Sequence, residues 1–514
     1  MNPIHNVWET HKKQLSFAMA ATFFWGLLAH AYRFLNGNFC HDSLSEFHGA
    51  IYGNDHKIEL GRIITPPYRD LFRSDVTLPW LIGVLSLVWI GLAIFLLVQI
   101  FRMENKKLVF LAAGIFTVNI SVSATVATYI HDLDCYMFSM LCAVSAVWLW
   151  QERKWGWLPG AVMLTVSLGM YQSFLFTAVT LVMFRCILWL MEGESFATVL
   201  RRGLKAIGMI LLGGIGYWVG LKVSTRLTGI ALTSGGYNSL DTMKSITAET
   251  FLPLLAQTYR DCFTRLWSAH STYPAVIVKI ATAVLIVVSL AALGYSLKRM
   301  RWKEAFLLLT LTALLPLGAN MIYVLTCGGS HDLMVYSIWL LWFFPLLLAD
   351  WMFHKVKMPI GSWQKHLAMV MVTVLLYGSA VFANGMYLKK ELEQNACLSL
   401  MTRVAARMEQ TEAYIPGETP VVFYGTPELL NDTVPGMSDY TTVVGMAYGS
   451  PLCVPIRVMY QAYFDYILNT PVELADEDQW DIIYASEEMR AMPAYPQAGS
   501  VVMQDGVLVV KLAS

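Results

Sequence analysis

The sequence predicts an α-helical polytopic membrane protein of about eleven spans, followed by a small external α/β domain. Three observations support this fold class. Hydrophobic residues make up 56% of the 514 residues and charged residues only 14%, against about 25% in an ordinary soluble domain. The mean hydropathy is +0.52, and the apolar residues occur in long blocks. The segment 389–514 differs, because short apolar runs alternate there with turn residues.

Apolar blocks long enough to cross the hydrocarbon core of a bilayer recur along the chain up to residue 388. Such a crossing needs about 20 mostly apolar residues. The eleven candidate blocks are 15–35, 80–101, 108–130, 135–150, 157–170, 173–191, 206–223, 274–297, 305–325, 333–353 and 367–388. Block 157–170 is short, and Tyr171-Gln172 separates it from the next block. We interpret this pair as a tight external turn between two helices; one long, kinked helix is the alternative.

Basic residues predict the orientation, because cytoplasmic loops carry an excess of Lys and Arg. The short loops 131–134, 171–172 and 326–332 contain neither residue. The loops that alternate with them carry Lys12/Lys13, Arg102/Lys106/Lys107, Arg153/Lys154, Arg201/Arg202/Lys205, Lys298/Arg299/Arg301/Lys303 and Lys355/Lys357/Lys365. The sequence therefore predicts a cytoplasmic N-terminus and, with an odd number of spans, an external C-terminus.

Large polar segments are predicted on the external side. The transmembrane domain 1–388 has two long external loops, 36–79 and 224–273. The second loop contains an amphipathic pattern, and such a helix either lies in the membrane interface or packs against the tail. Its apolar positions are Leu240, Met243, Ile246, Phe251, Leu254, Leu255, Tyr259, Phe263 and Leu266.

The tail 389–514 is predicted to form an extracytoplasmic α/β domain. A helix is expected over 391–408, and Pro416 interrupts it. Short strands are expected at 421–424, 452–456, 482–485 and 501–503, followed by a hairpin turn at Gln504-Asp505-Gly506 and a strand at 507–510. The tail has no glycine-rich phosphate loop.

Charge and cysteine content exclude several classes of protein. Lys+Arg and Asp+Glu both number 36, and a nucleic-acid-binding protein would carry a basic excess. No C-x-x-C occurs among the eight cysteines, so a zinc ribbon is unsupported, although a disulfide between two external cysteines stays open. Pairs such as His41/Asp42 and His131/Asp132 offer metal ligands without helical H-x-x-x-H spacing. We expect neither a metal nor another cofactor.

The first external loop is the first of three polar clusters. It begins Cys40-His41-Asp42 and later contains Gly61-Arg62, Arg69 and Arg73. Carboxylates are suited to base chemistry and guanidinium groups to anion binding. For most of these residues a solvated loop is the simpler interpretation. Asp42 is distinguished by its position just beyond the first span, near the membrane surface; capping of a helix over 43–51 is the alternative role.

The second cluster is the turn His131-Asp132-Leu133-Asp134, and the third is Gly328-Gly329-Ser330-His331-Asp332. Thr117, Ser121, Thr125 and Thr128 share one helix face that leads to Asp132. This stripe predicts a cavity wall, with Ser/Thr helix packing as the alternative. The third cluster has two interpretations. It could bind phosphate or orient a catalytic base, or it could be only a tight turn that connects two helices. Tyr171-Gln172 either reaches the same cavity or is interfacial.

These ionisable groups lie at the outer rim of the predicted spans. A transporter would more often place charges at mid-depth inside the spans. The distribution therefore favours chemistry or binding at the outer face.

These motifs together resemble the O-antigen glucosyltransferase II (Gtr-type) family of the GT-C superfamily of membrane glycosyltransferases. The similarity consists of Asp42 leading to Gly61-Arg62 after the first span, the Asp132/Asp134 turn and Tyr171-Gln172, in this order between about residues 15 and 388. The family often has a paired acid in the first loop, where this chain has His41-Asp42.

The resemblance implies a glycosyltransferase that moves a hexose, expected to be glucose, from a polyprenyl-phosphate donor to an extracytoplasmic glycan or cell-envelope polymer. Asp42 would be the general base of an inverting displacement. Arg62 is the first choice as ligand of the donor phosphate, and Arg69, His331 and Arg33 are weaker candidates. The alternative role of Arg62 is to anchor the loop by pairing with Glu59 or Asp55. The expected ligands of sugar or acceptor are His41, His131, Asp132, Asp134, Tyr171 and Gln172.

A bacterial inner (plasma) membrane is the location that this resemblance implies. Two other functions stay open: a flippase or transporter for a lipid-linked glycan, and a non-catalytic scaffold that presents the tail. A transporter would need functional groups on both faces, whereas the cytoplasmic loops offer mainly Lys and Arg. A scaffold would not explain His131–Asp134.

Overall fold

The computed structural model describes residues 3–37, 39, 44, 53–233, 246–268, 275–355, 359–426 and 457–513. The chain divides into two compact units. The first consists of Met1–Leu35, Asn54–Val126 and His131–Asn384, and the second of Asn36–Gly53, Ala127–Ile130 and Gly385–Ser514.

The first unit is helical. Its helices are α1 (Pro3–Leu35), α2 (Asn54–Glu59), α3 (Thr65–Phe72), α4 (Pro79–Phe101), α5 (Lys106–Val118), α6 (Ile120–Thr128), α7 (Leu133–Glu152), α8 (Trp157–Met170), α9 (Leu175–Glu192), α10 (Phe196–Thr228), α11 (Ala248–Ser268), α12 (Ala275–Leu297), α13 (Trp302–Ala319), α14 (Met321–Leu325), α15 (Tyr336–Trp339), α16 (Phe343–Lys355) and the start of α17 (Pro359–Glu409). Short 3₁₀ turns at Ile130–Asp132, Gln172–Phe174, Asp332–Met334 and Leu340–Trp342 join several of them.

Nine helices in the described part of the chain are long and apolar enough to cross a membrane. The bent pair α5 and α6 would make a tenth, and α8 is apolar but shorter. These helices fall on the apolar blocks expected from the sequence and support a polytopic membrane protein. The number of actual crossings and their direction stay predictions.

Several predicted spans are interrupted, and an asparagine lies at two of the breaks. The block 108–130 is bent by 41° between α5 and α6. Asn119 lies at the bend, where its amide donates to the Ile115 carbonyl (2.8 Å) and accepts from the Val122 N–H (3.1 Å). The Asn119 side chain thus replaces helical hydrogen bonds with its own. Asn320 separates α13 from α14, but its side chain donates to α11, to the Thr258 carbonyl (3.1 Å) and to Asp261 Oδ2 (3.0 Å). Apolar periodicity alone reveals neither break.

The pair Tyr171-Gln172 separates two helices, as expected, and not one kinked helix. Helix α8 ends at Met170, and Tyr171 is extended (φ −157°, ψ 110°). The 3₁₀ turn and then α9 follow. An extended residue cannot continue the helical hydrogen-bond pattern, so a new helix starts.

The amphipathic pattern of the second long loop corresponds to α11. Its buried face is formed by Leu254, Thr258, Cys262 and Leu266, spaced by four residues. The Thr258 carbonyl accepts from the Asn320 amide (3.1 Å), and Thr282 of α12 donates to the Leu266 carbonyl (3.1 Å). Leu252 and Phe263 are exposed on the other side. Contact of this exposed side with lipid stays a prediction; positions 240 and 243 are outside the described residues.

The second unit contains a small α/β domain. Helix α17 ends at Glu409, and the order then is β1 (Pro420–Tyr424), α18 (Arg457–Ala462), a π-helical turn (Tyr463–Leu468), β2 (Glu473–Leu474), α19 (Glu477–Ala485), α20 (Glu487–Ala491), β3 (Val501–Gln504) and β4 (Val507–Lys511). The sheet order is β2-β1-β4-β3. Strand β1 pairs in parallel with β2 and β4, and β3 and β4 form the expected hairpin.

One predicted strand of the tail is wrong. Residues 482–485 belong to helix α19, although Ile482-Ile483 suggested a strand. Asp476 caps this helix by accepting from the Gln479 N–H (2.8 Å), and the acidic first turn suits the helix dipole. Trp480 is buried while Ile482 is exposed. The expected strand at 452–456 lies outside the described residues.

Candidate functional site

A buried carboxylate surrounded by basic side chains is the main polar feature described in the first unit. Asp132 Oδ2 lies 2.8 Å from Lys57 Nζ and 3.5 Å from Arg62 Nη1, and Asp132 Oδ1 lies 2.7 Å from Arg69 Nη2. Tyr136 adds a hydroxyl 3.3 Å from Asp132 Oδ2. We refer to these five residues as the Asp132 cluster. Buried ionic groups of this kind need partners, and here they hold segments far apart in sequence together.

A glycine turn brings Lys57 and Arg62 to the same carboxylate. Gly61 has φ +76°, the left-handed conformation that glycine adopts without steric cost. The Gly61 N–H donates to the Ile58 carbonyl (2.9 Å), and the Arg62 N–H donates to the Lys57 carbonyl (2.8 Å). Helix α2 therefore ends in a turn that folds Arg62 back over Lys57.

Helix α3 and the residue that follows it supply two further arginines. Arg69 lies in the last turn of the helix, and Arg73 is the residue just beyond its end, where the Arg73 N–H donates to the Arg69 carbonyl (2.9 Å). Arg69 reaches Asp132, and Arg73 Nε lies 2.8 Å from Asp134 Oδ2. Arg73 also donates to the His131 carbonyl. Burial lowers the pKa of Arg73, but the charge and hydrogen bond of Asp134, together with the neighbouring Cys135, outweigh it, so the pKa is raised.

Two stacked tyrosines form the surface on which Arg62 lies. The rings of Tyr136 and Tyr171 stack with their centroids 4.1 Å apart. Arg62 Nη1 donates to the Tyr136 hydroxyl (2.9 Å), and its guanidinium carbon lies 5.1 Å from the Tyr171 centroid. Guanidinium groups are attracted to aromatic faces at this distance. The Arg62 side chain is 10% exposed, against 4% for Lys57 and 1% for Arg69. Arg62 is thus the most accessible cation of the cluster.

Gln172 and Tyr217 hold the loop that carries Arg62. The Gln172 amide donates to the Leu60 carbonyl (3.1 Å) and to the Tyr217 hydroxyl (2.8 Å). The Tyr217 hydroxyl in turn donates to the Gly61 carbonyl (3.0 Å). Gly169 accepts from the Ile64 N–H (2.8 Å), and a Cβ at this glycine would lie only 2.6 Å from Ile64. The loop is therefore fixed by close backbone contacts as well as side chains.

The charges around Asp132 and Asp134 leave a positive excess. Lys57, Arg62 and Arg69 contact Asp132, while Arg73 pairs with Asp134. Four basic side chains thus face two carboxylates. An excess of this kind in a low-dielectric setting attracts an anion, and phosphate oxygens suit a guanidinium fork.

The structure describes only some of the residues expected at the site. Asp42 and His41 lie outside the described residues. Arg62 lies in the Asp132 cluster and contacts that aspartate; this is a different acid from the Glu59 or Asp55 of the alternative interpretation. Arg69 also belongs to the cluster but is almost fully buried. Arg33 is buried as well.

The expected sugar ligands His131, Asp132 and Asp134 are all buried. His131 Nε2 lies 3.7 Å from Asp132 Oδ2. Both Asp132 oxygens accept hydrogen bonds from basic groups, and Asp134 is held by Arg73. In this arrangement the two acids organise the arginines. Contact of either acid with a sugar stays a prediction and would require their basic partners to move.

The third predicted cluster forms a separate network with α11. Arg265 Nη1 pairs with Asp332 Oδ1, and Arg265 Nε lies 2.8 Å from Asp261 Oδ2. The Arg265 Nη2 group donates to the Ser330 carbonyl (3.2 Å). Burial lowers the pKa of the neighbouring His331 below its ordinary value of 6.5. The lowered pKa favours the neutral imidazole, which would contact a phosphate through a hydrogen bond from its ring N–H.

The Ser/Thr stripe of α5 and α6 is used for packing. Thr117 and Thr125 donate to carbonyls one turn earlier in the chain. Ser121 donates to the Asp332 carbonyl and accepts from the Trp339 indole (3.0 Å). These contacts favour the packing interpretation over a cavity wall.

Lys57, Tyr136 and Tyr217 were missed by sequence reasoning. Lys57 lies in a short polar helix and Tyr136 within an apolar span, so neither position stands out by pattern. Tyr136 follows Asp132 by one helical turn, which is the single signal that places it beside the acid. Arg73 was noted in the first loop without a role. Within the described ranges, no three His, Cys, Asp or Glu side chains are grouped to hold a metal ion.

The fold and the site define a class: a polytopic helical membrane protein with a buried, positively charged cluster beside the first turn of α7. The chain belongs to the glucosyl transferase GtrII family, whose model matches residues 31–349. All of the candidate site residues lie inside this range. The family makes the protein a glucosyltransferase. Comparison with curated proteins and with solved structures finds no match.

Proposed function

We propose that the protein is a GT-C-type transferase that moves glucose from a polyprenyl-phosphate donor to a glycan or cell-envelope polymer, as in O-antigen modification. Transfer takes place on the external face of a bacterial inner membrane, with the N-terminus in the cytoplasm and the C-terminus outside. Membership of a glucosyltransferase family and a chain rich in apolar helices support this proposal.

The proposed reaction is a single displacement that inverts the anomeric centre. An acceptor hydroxyl oxygen forms the new bond to the anomeric carbon while the bond from that carbon to the phosphate oxygen breaks. The electron pair of the broken bond leaves with the polyprenyl phosphate. The hydroxyl proton passes to a carboxylate acting as general base, an effect worth about 10²–10⁴-fold in rate.

The positive excess of the Asp132 cluster is the observation that carries the donor assignment. A leaving phosphate gains negative charge in the transition state, and fixed basic groups stabilise such charge best where water is excluded. Arg62 is the proposed phosphate ligand because it is the most exposed cation of the cluster. Lys57 and Arg69, held by Asp132, would contribute charge from behind it.

Asp42 is the proposed general base. Its support is its position in the sequence, just beyond the first span, and the resemblance of this loop to the family. Asp132 and Asp134 are the reserve candidates, and their buried pairing with arginine makes them less available to an acceptor. His131, Tyr171 and Gln172 are proposed to lie near the sugar, with His41 beside Asp42.

Turnover by the purified full chain tests the proposal. The protein in detergent is incubated with synthetic polyprenyl-phosphate-glucose, with and without the lipopolysaccharide or wall polymer of a host cell. Release of polyprenyl phosphate that depends on the acceptor is the expected result. Movement of the intact donor across vesicle membranes, without any release, would instead identify a flippase.

A further inference from the structure

A lysine-rich cavity lies between three helices, away from the Asp132 cluster. Its volume is about 640 Å³, and it is bordered by α1, the end of α4 and the start of α5. The side chains that matter for charge are Lys12, Lys13, Lys106 and Glu104. Three positive charges against one negative charge leave an excess of two.

A second, apolar cavity adjoins the first. Its volume is about 340 Å³, and Phe17 and Lys106 line both cavities. The remaining wall of the second cavity comprises Lys107, Phe110, Leu111, Met369 and Thr373. The two cavities thus place a charged compartment directly beside an apolar one.

Lys106 lies at the junction of the compartments. Its Nζ atom is 5.7 Å from the centroid of the Phe17 ring. It is also the first residue of α5, whose N-terminus carries partial positive charge. Asn105 caps this helix by accepting from the Lys107 N–H (3.0 Å). Charged head and apolar tail groups of one ligand would therefore meet at Lys106.

We infer that these joined cavities bind one anionic phospholipid of the surrounding bilayer. The lipid phosphate would lie among Lys12, Lys13 and Lys106, and an acyl chain would lie against Phe17 and Phe110. Basic pockets between membrane helices bind anionic lipid headgroups in this way. In the predicted topology this end of the helices is cytoplasmic, where anionic lipids are available.

The apolar compartment distinguishes this site from lysines that only orient the protein. Lysines that act through the orientation rule need no cavity and no particular neighbours. Lys298, just after α12, and Lys303, in the first turn of α13, are such a pair outside both cavities. A soluble phosphate would use the lysines but gain nothing from Phe17, Phe110 and Met369.

Lipid retention by the full chain in detergent tests the inference. Native mass spectrometry measures binding of phosphatidylglycerol and of phosphatidylcholine to wild type, to Lys12→Gln/Lys106→Gln and to the control Lys298→Gln/Lys303→Gln. A lysine near the surface contributes about fivefold in affinity for an anionic lipid. We therefore expect about 25-fold weaker phosphatidylglycerol binding in the cavity variant and little change in the control.

Three results would overturn the inference. Equal retention of both lipids by wild type would remove any preference for an anion. Equal losses in the cavity variant and the control variant would show that only overall charge matters. Competition by glycerol phosphate as strong as that by phosphatidylglycerol would show that the apolar compartment is not used.

Thr373→Phe, which fills that compartment, is expected to weaken phosphatidylglycerol binding while all basic groups remain.

Discussion

Lys57 Nζ and Asp132 Oδ2 are 2.8 Å apart although 75 residues separate them in the chain. The Lys57 side chain is 4% exposed and that of Asp132 is 1% exposed. A pair this well shielded from solvent keeps most of its electrostatic interaction. It ties the first polar loop to the start of α7, and it arranges Arg62 and Arg69 around one acid.

Asp132→Asn is expected to destabilise the protein by about 3–5 kcal/mol, because it leaves buried basic groups without their carboxylate. Lys57→Met should lower the free energy of unfolding less in the Asp132→Asn background than in the wild type. The expected difference, the coupling energy of the two residues, is about 0.5–3 kcal/mol. Thermal inactivation of the detergent-purified variants measures both effects. Additive effects of the two changes would contradict the pairing.

The pair Arg202–Glu194 is a suitable control. Its atoms are 3.6 Å apart, and the two side chains are 38% and 39% exposed. Exposed ion pairs contribute about 0–1 kcal/mol. Glu194→Gln should therefore change thermal stability little, which separates loss of a buried partner from loss of any acid.

Arg62→Lys should lower donor turnover by about 10²-fold while the protein still folds. Lysine keeps the charge but lacks the planar guanidinium group, which can donate to a phosphate and to the Tyr136 hydroxyl at the same time. Initial rates at several donor concentrations measure the loss. Arg226→Lys, on the exposed end of α10, is the control, and wild-type rates in Arg62→Lys would eliminate the phosphate role.

The apolar blocks predicted most helices because burial in lipid imposes one simple requirement, a long run of apolar residues. Breaks within the runs were not predicted, since the side chain of Asn119 bonds to its own helices and that of Asn320 bonds to α11, and apolar periodicity records neither contact. The tail shows the same limit. Local residues predict its hairpin turn at Asp505-Gly506, whereas Ile482-Ile483 predicts a strand where the cap at Asp476 starts a helix.

The sequence predicted part of the candidate site, because charged residues next to apolar spans are conspicuous. Arg62, Arg69 and Asp132 were each identified, but their meeting at one carboxylate depends on tertiary contacts. Gln172 illustrates the difference, since it was expected near sugar and is found holding the loop of Gly61. No local pattern in the sequence encodes a contact between residues so far apart.

The free energy of unfolding should decrease as the pH falls below about 6.5, because His331 binds a proton more readily in the unfolded chain than in the folded protein. Burial lowers the pKa of the folded His331, so below its ordinary value of 6.5 the unfolded chain takes up the proton first. The loss of stability ends once the pH is below the pKa of His331 in the folded protein, because both states then carry the proton. Thermal stability between pH 7.5 and 5 measures the slope, which should become shallower in His331→Gln. Asp332 and Arg265 also act on this histidine, and an identical slope in the variant would rule out its contribution.

A reporter fused after Ser514 tests the predicted topology. An enzyme that is active only in the cytoplasm should stay silent at this position, because basic loops alternate with an odd number of spans. The same reporter fused after Lys154, in a basic loop, should be active. Strong cytoplasmic activity after Ser514 would refute the topology and, with it, the outward-facing site.

Asp42→Asn is expected to abolish glucose transfer while leaving folding and donor binding intact. An acceptor hydroxyl holds its proton at neutral pH, and an amide cannot accept it, so about 10²–10⁴-fold in rate should be lost. Asparagine is as good a helix N-cap as aspartate, so a merely structural Asp42 would tolerate the change. The measurement is polyprenyl phosphate release with acceptor present, alongside binding of labelled donor. Near-normal transfer would leave Asp42 as a cap and move the search for the base to Asp132 and Asp134.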